Sequence, residues 1–361
     1  MEEKDDTDKL DSGITNRNTL FSRESPASKD LNSMASSVDR VKDFDVSKQS
    51  AWLKYSDEII QEFCELLPSF PGKKPHVRED IRCPEEVFTS QLGCAYAFLA
   101  SKRRQVAKEL KQGPLRHQFG LFNKAGFAST DDFNLNKDIP TQKEAIYEQL
   151  SSLISHANPL VDVEKRVNTE AEKSFIYTIK IKRSAHEMQR LHNKNLATKS
   201  PFIEDENILT ITFHDYGKDD ARTAIVIDHS PTPFAENYAS QSSYFQVQFA
   251  LIEPYFQACL NWESHQGLKK FLVNAGKLAH SLALLQPVGR GNSAIVEWMI
   301  RGIARTKGIE LGPFNHSEKI GWDFKAFLTP EMQDYANWFS EKAFVNCTLQ
   351  EVSSPSKPGA Y

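Results

Sequence analysis

Between Gln286 and Ile295 the chain reads QPVGRGNSAI, a run that gathers the residue types of an anion site. Gly289 and Gly291 bracket Arg290, and Asn292 and Ser293 stand where they can cap a following helix. A helix N-terminus carries about half a positive charge and several unpaired N–H groups. Placed after a glycine turn, such an end receives a phosphate or carboxylate. Arg290 would add a planar fork of donors to the same place. The expectation is an anion-binding loop made of Gly289, Arg290, Gly291, Asn292 and Ser293. Glycine turns beside Asn or Ser also serve as plain helix punctuation, so the flanking elements decide how much weight the loop carries.

Both flanks have the period of buried helices. Before the loop, Phe271, Leu272, Ala275, Leu278, Ala279, Leu282 and Leu285 recur at three- and four-residue spacing. After it, Ile295, Val296, Met299, Ile300 and Ile303 repeat the pattern until Lys307-Gly308, a basic last turn followed by a glycine stop.

A buried helix, a glycine loop and a second buried helix resemble the core unit of the Fic family. The family signature reads His-Pro-Phe, two variable residues, Gly-Asn-Gly-Arg, then two residues and another Arg. Laid on this chain it becomes Gln286-Pro287-Val288, Gly289-Arg290, Gly291-Asn292-Ser293-Ala294, then Glu297. Lys277 to Leu282 is similar to the family's run into the motif, and Lys307-Gly308-Ile309 to its exit.

The resemblance implies a phosphate-bearing, nucleotide-derived ligand at the 286–293 loop and transfer of part of it to a hydroxyl of a target protein. Several departures bear on that chemistry. Gln286 stands where the family has its histidine base, and a glutamine amide orients a hydroxyl without titrating near neutral pH. Arg290 stands where many members hold a magnesium ion with an acid; a cation there repels metal, yet neutralises phosphate charge. Ala294 and Glu297 replace both arginines. Two functions therefore stay open. One is an altered, AMPylase-type transferase in which Gln286 positions the acceptor, the loop holds the phosphates, and Arg301 or Arg305 adds charge. The other is a catalytically inactive adaptor that binds a partner protein. A nucleotide is a substrate in the first; neither requires a cofactor. The resemblance also implies a role after delivery into a host cell.

Composition bounds the rest. A chain of 361 residues with 40% hydrophobic and 25% charged residues has ordinary soluble, globular content. A formal charge of -4 gives no basic footprint for nucleic acid. Cys64, Cys83, Cys94, Cys259 and Cys347 form no CxxC pair and read as thiols of a reducing, cytoplasmic-type compartment. The histidines show neither HExxH nor HxH, so no metal site is expected. His280 lies six residues before Gln286, about 600° around a helix, which turns it away from the loop and into the core. No apolar run reaches membrane-span length, and the acidic start MEEKDDTDKLDSG lacks a signal peptide's apolar core.

The expected architecture is mainly α, a Fic-like helical bundle with a small β-hairpin or antiparallel-sheet insertion. Residues 1–48 are polar and read as a disordered tail, and 346–361 as a flexible one. Residues 49–160 form an N-terminal helical region, with helices over Ala51–Leu67, from Pro84 to a stop at Gly113, and over Thr141–His156. In the second, Glu85 and Glu86 occupy the first turn and the basic KRRQVAKELK end forms a solvated face. In the third, Glu144 completes a capping box. Residues 161–345 hold the Fic-like core, with helices from Tyr244 and Pro330 and the β insertion at about 175–228. Its strands are Phe175–Lys182, Ile208–His214 and Thr223–Asp228, which alternate apolar and polar residues. Asp215, Asp219 and Asp220 in the connecting turn read as turn formers. Fic proteins carry a hairpin that pairs with the target by strand addition, so the 208–228 hairpin is the candidate docking element. Thr232 to Asn237 fits the loose pattern of the family's self-inhibitory segment, but its two prolines disfavour the helix required.

Overall fold

The structure, a computed structural model, describes residues 46–111, 117–122, 130–169, 174–193, 206–232, 240–315 and 319–349. Most of both expected tails, and Pro233 to Asn237, lie outside the described residues. Among those described the architecture is mainly α-helical with one small antiparallel sheet beside the bundle.

The helices are α1 (Val46–Leu66), α2 (Gln91–Glu109), α3 (Lys143–Ser155), α4 (Ala185–Asn193), α5 (Gln241–Leu260), α6 (Leu268–Leu285), α7 (Asn292–Thr306), α8 (Trp322–Phe327) and α9 (Met332–Lys342). α6 is buried on most of its circumference and packs on α5, α7, α8 and α9. Its approach to α9 depends on Gly276, where an added Cβ would lie 2.9 Å from Ala336 Cα and Phe339 Cβ. α7 lies against α1 and α2. Trp52 of α1 stacks on Trp298 with ring centroids 5.4 Å apart, and Phe63 of α1 sits against Gly302. The N-terminal helices and the loop-flanking helices thus share one buried cluster, running from Trp52 to Ala343.

The sheet has the order β1 (Thr130–Asn134), β5 (Ala224–Asp228), β4 (Asn207–Asp215), β3 (Phe175–Lys182), β2 (Val161–Val167), each pair antiparallel. Its buried face is built by Tyr177, Ile179 and Ile181 of β3, Leu209, Ile211 and Phe213 of β4, and Ile225 and Ile227 of β5. Ile179 faces Ile211, which faces Ile227. Tyr147 of α3 meets Phe213 edge-on at 5.6 Å, and His229 Nδ1 lies 2.9 Å from the Leu284 carbonyl of α6, joining sheet to bundle.

Five expectations are corrected. The helix from Pro84 is two elements: a 3-10 turn over Glu85–Thr89, then α2, whose cap Ser90 accepts from Gly93 N at 3.0 Å. Glu85 and Glu86 therefore serve the short turn. The KRRQVAKELK end is a solvated face only in part: Lys108 and Lys111 are exposed, but Arg103 is fully buried and Arg104 nearly so. α3 has no capping box: Glu144 is its second residue, and Gln142 at the cap position makes no side-chain cap bond. Gln142 Oε1 instead accepts from Gly321 N at 2.6 Å. The sheet also extends beyond the expected strands through β1 and β2.

The last correction concerns docking. The 208–228 hairpin, β4–β5, lies inside the sheet, with β3 on one side and β1 on the other. Both of its backbone edges are already paired, so it cannot accept a strand from a target.

Gly302→Ala would place a Cβ 2.4 Å from the buried Phe63 ring. That ring has no room to move, so the expected cost is about 1–3 kcal/mol, measured as a lower midpoint in urea unfolding at unchanged slope.

Candidate functional site

The expected loop connects α6 to α7. α6 is closed by Gln286, which is left-handed (φ 38) and buried, with its backbone N donating to Leu282 O at 3.1 Å. Val288 is fully buried and bridges antiparallel to Phe122. Gly289 N donates to Leu121 O at 2.9 Å, and Gly120 N donates to Arg290 O at 3.0 Å. The segment Phe119–Phe122 therefore lies along the loop as a short backbone partner.

Gly291 precedes α7 with φ 85, the left-handed region that a Cβ disfavours. Its bare α-carbon also faces the chain's own side chains. A Cβ there would meet Arg103 Cγ at 2.8 Å, Arg103 Nε at 2.9 Å and Phe119 Cδ1 at 3.0 Å. The Arg103 guanidinium stacks over Phe119 at 4.0 Å and Trp52 at 5.0 Å. At Gly291, close backbone approach serves a resident arginine.

Asn292 and Ser293 do not cap α7 from outside; they are its first two residues, and their side chains bond elsewhere. Asn292 Oδ1 accepts from the buried Tyr96 hydroxyl at 2.6 Å, while Nδ2 donates to Leu282 O at 2.9 Å. Ser293 Oγ donates to Asp323 Oδ2 at 2.6 Å. The carboxylate beside the first turn of α7 thus belongs to the protein itself, at the place where the helix dipole favours an anion. Burial raises the Tyr96 hydroxyl well above the usual phenol range, so it stays a donor.

Arg290 is half-buried, with its guanidinium 5.7 Å from the Phe119 ring and no carboxylate partner among the described residues. Arg301 and Arg305 do not join it. Arg301 Nε pairs with Glu297 at 2.8 Å in a buried bridge, and its other nitrogens donate to Leu311 O at 2.8 Å and Gly312 O at 3.2 Å. Arg305 reaches Asp57 at 3.1 Å. The structure therefore brings Gly289, Arg290, Gly291, Asn292 and Ser293 together, and stitches most of their side-chain polar groups into the fold.

His280 is buried, and Nε2 donates to the Thr329 carbonyl at 2.8 Å. The acids of the hairpin turn are engaged by neighbours. Asp215 accepts from Tyr147, Asp219 pairs with Lys143 at 3.0 Å, and Asp220 pairs with Arg222 at 2.7 Å. Among the described residues no group of His, Cys, Asp and Glu could hold a metal ion, the five cysteines are free, and no helix is long and apolar enough to cross a membrane.

Sequence reasoning missed Arg103, Tyr96, Phe119 and Asp323, which complete the loop's surroundings from distant parts of the chain. Only Tyr96 and Arg103 carried a local signal, through the helical spacing that they share. They lie on the face of α2 that also presents Leu92 and Leu99, all fully buried.

Asn292→Ala would leave the Tyr96 hydroxyl without its acceptor and Leu282 O without that donor. The expected loss is about 1–3 kcal/mol of stability, read by urea unfolding, with Tyr96→Phe recovering part of it in the double variant. No protein-family model matches the chain and no curated protein matches it, so a functional reading rests on this geometry and on the motif resemblance.

Proposed function

We propose that the chain is a catalytically inactive, Fic-like scaffold that binds a partner protein. One observation carries this reading: apart from Arg290, the loop's polar side chains at Asn292 and Ser293 bond within the fold, and a resident carboxylate faces the start of α7. Asn292 bonds Tyr96 and Leu282, Gly289 N bonds Leu121, and Ser293 bonds Asp323. Gln286 supplies no base near neutral pH. Neither Arg301 nor Arg305 is available to a phosphate. A transferase needs donors preorganised toward the charge that develops in the reaction; here the nearest groups are preorganised toward one another.

The partner's docking element moves from the 208–228 hairpin to β2, the sheet's open edge beside β3. Lys182 N donates to Leu160 O and Asn168 N to Ser174 O. Even-numbered residues of β2 therefore point their backbone groups at β3, and Val163, Lys165 and Val167 point theirs outward. Val163 and Val167 are 37% and 68% exposed. An outward row of N–H and C=O groups with no partner among the described residues, beside exposed valines, is the surface that strand addition uses.

A second reading, retained binding of a nucleotide without transfer, is favoured by Arg290, whose guanidinium has no acidic partner among the described residues. Thermal-shift measurements with ATP, UTP, CDP-choline and NAD separate the two. The scaffold reading gives no shift, and the second gives one that Arg290→Ala abolishes.

For the scaffold reading, incubation with labelled forms of the same nucleotides in a lysate leaves no protein labelled. Labelling that disappears with Gln286→Ala overturns it. Val163→Pro removes one outward amide and leaves the bonds to β3 in place. In a pull-down with the full-length protein it is expected to abolish partner capture without lowering the unfolding midpoint.

A further inference from the structure

Away from the loop, a cleft opens where the end of β3, α4, α5, α6 and the start of α9 converge. Its water-accessible interior is about 40 Å³, room for a guest of a few heavy atoms. Its walls are apolar through Leu251 and Ile252 of α5, Leu284 and Leu285 of α6, and Met332 of α9.

The polar groups of the cleft are unevenly satisfied. Lys182 and Arg183 line it, but each cation has its own acid: Asp162 at 2.8 Å and Glu206 at 2.6 Å. Glu187 lines it with no cation within ion-pair distance among the described residues; its polar contact is the Ser184 hydroxyl, 3.3 Å away. His280 is 2% exposed, and its Nδ1 has no hydrogen-bond partner among the described residues. Because Nε2 must carry the proton that Thr329 O accepts, Nδ1 of the neutral ring is a bare lone pair. Burial holds the imidazole below its usual pKa, opposed by the Thr329 bond and by Glu187. The Ser281 hydroxyl, also on the wall, donates to Lys277 O at 3.0 Å and keeps its lone pairs.

The open polar atoms of Glu187, His280 and Ser281 are thus all acceptors. With the two cations neutralised by their partners, one negative charge remains, at Glu187. A buried acceptor left without a donor costs free energy, and the matching guest brings several N–H donors, one positive charge and a little apolar surface. We propose that this cleft binds a primary ammonium group on a short aliphatic stem. The ammonium lies between His280 Nδ1, the Glu187 carboxylate and Ser281 Oγ, and the stem lies against Leu251 and Leu284. A free alkylamine and a lysine side chain of a peptide share this chemistry. The site is separate from the 286–293 loop and from β2, so it stands whether or not the scaffold reading holds.

The test is titration of the full-length protein with n-butylammonium, 1-butanol and butyrate, followed through the imidazole nitrogen resonances and the thermal midpoint. The expected result is a saturable His280 Nδ1 shift and a raised midpoint with n-butylammonium alone. Nα-acetyl-lysine amide and its Nζ-acetylated form then distinguish a lysine side chain from a free amine. Glu187→Gln, which removes a half-exposed charge and no core contact, is expected to weaken n-butylammonium binding by about tenfold. Arg290→Ala is expected to leave it unchanged. A response to 1-butanol equal to that of the amine, an unchanged affinity in Glu187→Gln, or no saturable response in the millimolar range overturns the proposal. The last outcome would mean that the cleft holds water only.

Discussion

The structure around the loop depends on one buried cation. Arg103, with no exposed surface, holds its guanidinium over the rings of Phe119 and Trp52, and its side chain passes close to Gly291. Taking a guanidinium out of water is costly unless its surroundings return the lost solvation. Aromatic faces return part of it, since the ring quadrupole attracts a cation, more strongly when both are desolvated. Those faces come from α1 and from the segment beside the loop, and Gly291 gives the aliphatic stem room. A single charge thereby fixes the spacing of α1, α2, the Phe119–Phe122 segment and the entry to α7.

This constraint changes what the glycines mean. Glycine beside arginine and asparagine at a helix start is the sequence signature of a phosphate cradle, and the same residues suit a backbone that must pass close to another part of its own chain. Gly291 belongs to the second case on its packing side. Asn292 ties the end of α6 to α2 in the same way, its two amide ends bridging Leu282 and Tyr96. What the motif resemblance assigns to a ligand is here occupied largely by tertiary contacts.

How much of this was legible from residues alone follows from the range of each interaction. Helical and strand periods are local, so α6 and α7 were placed on either side of the loop and β3 matched end to end. Ends set by local caps were legible where the cap was conventional, as at Lys307-Gly308. They were not where Ser90 interrupts a helical pattern after a 3-10 turn. β2 escaped notice because an edge strand exposed on both faces, VDVEKRV, carries charge in place of alternation. The closed position of the hairpin within the sheet depended on β1 pairing with β5, and so was hidden with β1. The partners of the loop, at positions 96, 103, 119 and 323, are long-range contacts that no spacing within one chain segment encodes.

The shared cluster between early and late helices has one more consequence. Trp52 and Phe63, near the start of the described chain, fill spaces against Trp298 and Gly302. Neither half closes its own interior. A fragment beginning after α3 would expose the flank of α7 to water and would lack most of what holds the loop in shape. Heat or denaturant should accordingly melt the bundle in one concerted step, and no stable half-molecule should survive limited proteolysis in the 156–160 connection.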